Sequence, residues 1–153
     1  MTGLVSLYKK ATQAAAKIPF PDLALGARWA VAFPFYSSGR TKAESGAFNL
    51  DLNSFTVDLF RDEYAVPFLS PELAAQLALY GETILPILLA LGLFTRFASA
   101  GLLVMIAVIT VSYESHSVIE SLSWGAALVA LLWQGGGRFS LDALACKLFA
   151  RAN

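Results

Sequence analysis

The sequence predicts an all-α integral membrane protein: a four-helix transmembrane bundle with amphipathic surface helices at both termini and in the first outer loop. Of its 153 residues, 57% are hydrophobic and only 14% are charged, and the mean hydropathy is +0.62. A soluble domain carries about 25% charged residues, so this balance indicates that lipid is the solvent. Four apolar stretches approach the roughly 20 residues that a helix needs to cross a bilayer.

The first predicted element is an amphipathic surface helix over residues 4–17. Its apolar residues recur at helical spacing, and its lysines fall mostly elsewhere, which is typical of a helix lying on a membrane. A frayed soluble arm is the alternative. Similar patterns predict surface helices over residues 54–64, in the first outer loop, and over residues 140–151, where Ser140 and Asp142 can start the helix.

The four predicted spans lie within one membrane domain that occupies residues 1–153. The first begins at about residue 18 or at Leu23, and the four spans cover residues 18–39, 73–94, 97–113 and 118–134. The connections on either side of the third span are only a few residues long, so spans two, three and four pack antiparallel to their neighbours.

Basic residues predict the orientation of these spans. Most of them lie on the side of the two termini and the turn at Arg96, which the positive-inside rule places in the cytoplasm. The long first loop and His116 then face outward.

Net charge and the counts of histidine and cysteine exclude several classes of protein. Eleven basic residues balance eleven acidic ones, so no nucleic-acid surface is expected. Cys146 and His116 are the only residues of their types, so a CxxC centre, a disulfide framework, a Cys/His zinc site or a bis-histidine haem cannot be built within one copy. No metal site is predicted, and a redox role needs a bound cofactor, a quinone or a partner protein.

Glu82 lies near the middle of the second span, in the stretch LALYGETILPILLALGLF. A lone charged side chain at the bilayer centre costs at least about 2.5–3.5 kcal/mol, so this carboxylate should be protonated or paired. Pro86 has no N–H and therefore leaves the carbonyl of Glu82 without its helical donor. Arg28 is the preferred partner, because it is the only basic residue inside a span and can bond both the carboxylate and the carbonyl.

The predicted pair of Arg28 and Glu82 has two interpretations that the sequence leaves open. It either fixes the packing of the first two spans or lines a polar pocket for a ligand, a quinone head group or a proton. The candidates for the pocket are Arg28, Lys42, Tyr80, Glu82 and Pro86, and those for its outer mouth are Arg40, His116 and Glu120. Catalytic residues remain unassigned.

Three stretches between about Leu23 and Leu144 resemble the DoxX family of small four-span bacterial membrane proteins. They are SSGRTK at the end of the first span, LFRDEYAVPFLSPELAAQLALYGETILPILLALGLFTRFASAGLL, and GGGRFSLDAL after the fourth span. The family takes its name from a quinone-linked sulfur oxidoreductase. Other members are associated with membrane oxidative-stress complexes or with gene sets for metal-binding peptides.

The resemblance implies an accessory subunit of a quinone-linked or thiol/sulfur redox or oxidative-stress system, with a quinone as its expected cofactor. No self-contained catalytic centre is visible, so any enzyme activity would be that of a quinone-dependent oxidoreductase subunit. The alternatives are a non-catalytic membrane scaffold or assembly factor, for example for a metal-binding peptide pathway, and a small transporter. The expected partners are the lipid bilayer, a membrane or periplasmic protein and a second copy of the chain.

Overall fold

The computed structural model describes residues 5–7, 20–64, 66–113 and 117–152. Regular structure in these ranges is helical apart from one isolated bridge, which confirms the all-α class. Residues 5–7 are helical and exposed, and most of the predicted helix 4–17 lies outside the described residues. The longer helices are α1 (Phe20–Lys42), α2 (Ser54–Asp62), α3 (Pro71–Leu91), α4 (Thr95–Ser112), α5 (Val118–Gln134) and α6 (Leu141–Ala152).

Local sequence explains where α3 begins and ends. The side chain of Ser70 accepts a hydrogen bond from the backbone N–H of Leu73, and Pro71 occupies the first helical position, where a missing N–H costs nothing. Gly92 ends the helix with a φ of 67°, a left-handed conformation that glycine adopts without strain. The turn into α4 is therefore tight, and the two helices run antiparallel.

The four long helices α1, α3, α4 and α5 form a bundle. α1 packs on α3 and α5, and α4 packs between α3 and α5. A buried apolar cluster holds them together and includes Val31, Phe35, Leu89, Leu102 and Leu128. The short helix α2 packs separately on α3, where Phe60 contacts Ala74 and Ala75. The end of the bundle that carries α2 is called the outer end below, and the opposite end the inner end.

Within the described residues, two helices are long and apolar enough to cross a membrane, α3 and α4, while α5 is apolar but has only 17 residues. In the most apolar stretches of α3 and α4, only 39% and 22% of the residues are buried. Large apolar side chains such as Phe97, Val104 and Val111 are therefore exposed. The core helix of a soluble protein buries its apolar residues, so this outward-facing apolar surface fits lipid.

Small residues bring α3 and α4 into close contact near the middle of the bundle. A Cβ atom added to Gly81 would lie 2.6 Å from the sulfur of Met105, and one added to Gly101 would lie 2.7 Å from a methyl group of Leu85. The side chains of Met105 and Leu85 thus fill the space that a Cβ would take at these glycines, and the two helices pack closely here.

The loop after α1 folds back onto the C-terminal end of that helix. Ala43 forms an antiparallel bridge with Leu52, and the backbone N–H of Glu44 donates to the carbonyl of Asp51. Asn53 begins α2 and also donates to the carbonyls of Thr41 and Lys42. The last carbonyls of α1 are thereby satisfied, and α2 is fixed beside them.

Candidate functional site

A cavity of about 400 Å³ lies at the outer end, between α1, α3 and α4 and beneath the segment that joins α2 to α3. Apolar side chains form most of its wall. Lys42 and Glu82 are the charged residues in the wall, and Ser38 and Ser112 contribute hydroxyl groups. The cavity is the candidate site because it places an ion pair beside an apolar space of ligand size.

Glu82 is paired with Lys42. The distance between Lys42 Nζ and Glu82 Oε2 is 2.6 Å, and their side chains are 13% and 4% exposed. Lys42 Nζ also donates to Ser38 Oγ at 3.0 Å, one helical turn back along α1. Taking two charges out of water is costly, so a short contact with extra hydrogen bonds is the arrangement that such a pair requires.

The predicted pairing of Arg28 with Glu82 is wrong. Arg28 is fully buried at the inner end, where Nη1 donates to the carbonyl of Ala90 at 3.3 Å and Nη2 to that of Phe139 at 2.7 Å. The prediction assumed that Arg28 and Glu82 lie side by side because each is near the middle of its predicted span. Instead α1 ends beside the middle of α3, so Lys42 is level with Glu82.

The backbone carbonyl of Glu82, which Pro86 leaves without its helical donor, faces Gly39 and not the guanidinium of Arg28 as predicted. Pro86 is buried within α3, and the backbone oxygen of Glu82 faces Gly39 of α1. A Cβ added to Gly39 would lie only 2.9 Å from that oxygen. The absence of a side chain at Gly39 lets α1 approach α3 closely, and this contact brings Lys42 within reach of Glu82.

Arg40 binds the outer loop. Its Nη1 donates to the carbonyls of Gly46, Ala47 and Asn49, and its Nη2 donates to the hydroxyl of Thr83. Both terminal nitrogens are thus engaged within the chain, and the predicted role of Arg40 at an outer mouth stays a prediction.

Three further candidates lie away from the cavity or outside the described residues. Tyr80 is 40% exposed and does not line the cavity. Glu120 is exposed in the first turn of α5, and it does not line the cavity either. His116 lies outside the described residues. Of the predicted pocket residues, the structure brings together Lys42 and Glu82.

Ser112 and Tyr64 line the cavity and were not predicted from the sequence. Ser112 Oγ is buried and has no hydrogen-bond partner among the described residues. The ring of Tyr64 lies 5.1 Å from that of Phe60 and 4.7 Å from that of Tyr113. Burial raises the pKa of Tyr64, and Tyr113, Glu63 and Glu82 raise it further, so the phenol stays neutral. Both residues follow from tertiary packing, and no local sequence pattern marks them.

A second polar cluster lies at the inner end and centres on Asp142 of α6. Its carboxylate accepts hydrogen bonds from the backbone N–H groups of Phe94 and Thr95, at 2.8 and 2.9 Å, and from the hydroxyl of Thr95. The backbone N–H of Asp142 donates to the carbonyl of Gly92. Asp142 therefore caps the start of α4, and the stretches GLFTR and GGGRFSLDAL meet in one structural cluster.

No metal centre is formed by the part of the chain that the structure describes, since no three His, Cys, Asp or Glu residues are grouped there. A family model described as DoxX matches residues 23–115, which is more than half of the chain. The match begins at the fourth residue of α1, continues through α4 and includes both residues of the ion pair. No match was found among curated proteins or among solved structures.

Proposed function

Because the chain belongs to the DoxX family of membrane proteins, we propose that it is an accessory subunit of a quinone-linked or thiol/sulfur redox or oxidative-stress system in the bacterial inner membrane. Its part in that system is to hold the head group of a quinone in the cavity at the outer end. The proteins that carry electrons to and from the quinone are then its membrane or periplasmic partners.

The ion pair at the cavity wall is the observation that supports this proposal most directly. Ligand sites in proteins are mostly apolar and contain a few polar groups that orient the ligand. Lys42 and Glu82 are such groups, and they lie on helices that pack in an apolar bundle. Charged residues inside a membrane bundle usually mark a ligand or ion site, because their burial is otherwise costly.

The proposed topology has four spans, with α1 and α5 crossing the membrane alongside α3 and α4. Arg28 is buried, and both of its terminal nitrogens donate to backbone carbonyls within the bundle, which favours a membrane span for α1. At 17 residues, α5 spans if the bilayer thins locally. Both termini are then cytoplasmic, in accordance with the basic residues near them.

Extraction of the protein from its native membranes in mild detergent tests the proposed function. We expect a quinone to co-purify with the wild type, and Glu82→Gln to reduce the bound amount by removing the charge that Lys42 needs. Glu72→Gln is the matched control, because Glu72 lies on the same helix but is 59% exposed and contacts Arg61. Wild-type protein that carries no quinone and takes none up on addition contradicts the proposal.

A non-catalytic scaffold or assembly factor is the second candidate. The observation that favours it is that Arg28, Lys42 and Asp142 are each bonded to other parts of the same chain. On this proposal the ion pair only sets the packing of α1 on α3. The exchanged pair Lys42→Glu with Glu82→Lys should then restore the function that either single change removes, whereas a ligand site would not tolerate the exchange.

A further inference from the structure

The cavity has a rim on the outer surface of the bundle. Leu77 of α3 and Val104 and Val108 of α4 line the cavity and are also 51%, 63% and 41% exposed. A side chain that lines a cavity and is exposed as well marks its mouth. All three are apolar, and they lie on the two helices that are long and apolar enough to cross a membrane. The mouth between α3 and α4 therefore faces lipid.

The packing of α3 on α4 explains why the mouth lies at this height. The two helices touch closely where Gly81 meets Met105 and where Leu85 meets Gly101. One to two turns further toward the outer end, residues of both helices line the cavity; they are Ala78 on α3 and Val108, Ile109 and Ser112 on α4. Between the two helices the cavity thus lies beyond this contact, and Met105 is at the boundary, since it faces Gly81 and also lines the cavity.

The charges at the cavity favour an uncharged head group. Lys42 and Glu82 neutralise each other at 2.6 Å, and the other titratable side chains that the described residues contribute to the wall are the phenols of Tyr64 and Tyr113. An anionic head group would be attracted by Lys42 but repelled by Glu82 at almost the same distance. It would also lose its hydration in a mostly apolar space, a cost that a neutral head group avoids.

The hydrogen-bonding groups favour an acceptor on that head group. An ammonium group has three N–H donors, and Lys42 directs bonds to Ser38 and Glu82. The hydroxyl of Ser112 is buried without a partner among the described residues, an arrangement that destabilises a protein unless a ligand or water completes it. A carbonyl oxygen in the cavity can accept from either group.

We propose that the cavity binds a lipid-soluble molecule with a neutral, hydrogen-bond-accepting head group on an apolar chain. The molecule enters sideways from the bilayer between α3 and α4 and places its head group beside Ser112 and the ion pair. Quinones and neutral lipid esters share this chemistry. The inference rests on the proposed function for the membrane setting, but it does not require a redox role.

Trp124 lines the cavity and provides the measurement. The chain has three tryptophans, and Trp29 and Trp133 are exposed, so Trp29→Phe with Trp133→Phe leaves Trp124 as the only one. This variant is reconstituted in lipid nanodiscs and titrated with a brominated stearic acid methyl ester, whose bromines quench tryptophan fluorescence. The free acid of the same chain, ionised at about pH 9, is the charged counterpart. A long-chain quinone forms a separate titration.

We expect saturable quenching by the ester and binding of the ionised acid that is weaker by at least about tenfold. In the same background, Ser112→Ala should weaken binding of the ester about three- to tenfold, the value of one hydrogen bond. Val108→Phe should narrow the mouth and reduce quenching. Val111→Phe is its matched control, because Val111 is an exposed residue of the same helix that does not line the cavity.

Equal quenching by the ester and the ionised acid overturns the inference. It is also overturned if neither Val108→Phe nor Leu77→Phe changes the quenching by the ester. The second mouth variant guards against misfolding of the first. If the ester binds as expected and the quinone does not, the proposed redox function fails while the inference stands. If the quinone binds and the mouth variants have no effect, the proposed function stands and lateral access is wrong.

Discussion

Lys42 Nζ lies 2.6 Å from Glu82 Oε2, which brings the last residue of α1 beside the middle of α3. This offset leaves the first half of α3 without α1 beside it. The short helix α2 and the outer loop cover part of that surface, and the cavity occupies the rest. The ion pair therefore lies at the end of α1 and in the wall of the candidate site, which extends past it to Phe35 and Trp124.

Removing one member of this pair should destabilise the protein more than removing both. Lys42→Met leaves an unpaired carboxylate in a buried position, and Glu82→Leu leaves an unpaired ammonium, each at a cost of about 3–5 kcal/mol. The double variant leaves no buried charge and should recover most of that loss. The free energy of unfolding in detergent, measured for all four proteins, gives the coupling between the two residues. Additive effects would show that the two charges do not interact.

Gly39→Ala should separate α1 from α3 and weaken the ion pair. The added Cβ would lie 2.9–3.0 Å from the backbone of Glu82, which cannot yield as a flexible side chain can. Overpacking of this kind costs about 1–3 kcal/mol. Thermal unfolding in detergent measures it, and Gly26→Ala is the control on the same helix, because nothing lies within 4 Å of a Cβ at Gly26. A loss of stability equal to that of the control would exclude close contact at Gly39.

The helices themselves could be predicted because each apolar run is local. The predicted spans 73–94, 97–113 and 118–134 correspond to helices Pro71–Leu91, Thr95–Ser112 and Val118–Gln134. The cation that pairs with Glu82 could not be predicted in the same way. The identity of this cation depends on the position of α1 along α3. The contact of Gly39 with Glu82 sets that position, and these two residues are far apart in sequence.

The role of Asp142 shows the same limit. The sequence places Asp142 at the start of a helix, which is its position in α6. Its carboxylate nevertheless caps another helix, α4, since the turn after α5 brings α6 against the start of α4. Arg28 likewise bonds the carbonyls of Ala90 and Phe139, and a sequence pattern offers no means of matching a buried donor to a distant backbone acceptor.

Asp142→Ala should destabilise the inner end, because Phe94 and Thr95 lose the acceptor for their N–H groups. Loss of a helix cap costs about 0.5–2 kcal/mol, and the buried hydroxyl of Thr95 loses its acceptor as well. Asp58→Ala is the control: Asp58 is exposed and contacts only the exposed Arg61 among the described residues, so its removal should change stability by less than about 0.5 kcal/mol. Unfolding by heat in detergent compares them, and equal melting temperatures would contradict the capping role.

Gly92→Ala should destabilise the inner end. Gly92 adopts a φ of 67°, which a side chain disfavours by about 1–2 kcal/mol, and an added Cβ would overlap Nη1 of Arg28. Arg28 would then lose its bonds to Ala90 and Phe139, which link α1, α3 and the segment before α6.

The matched control is Gly125→Ala in α5, where nothing lies within 4 Å of the added Cβ and the helix gains about 0.5–1 kcal/mol. Two measurements separate the effects: unfolding in detergent for stability, and protease cleavage after Arg138 for release of the C-terminal segment. Gly92→Ala should lower stability and speed cleavage, because Arg28 no longer holds the carbonyl of Phe139. If Gly92→Ala lowers stability but leaves the rate of cleavage after Arg138 unchanged, its effect comes from backbone strain alone, and Arg28 does not hold this segment.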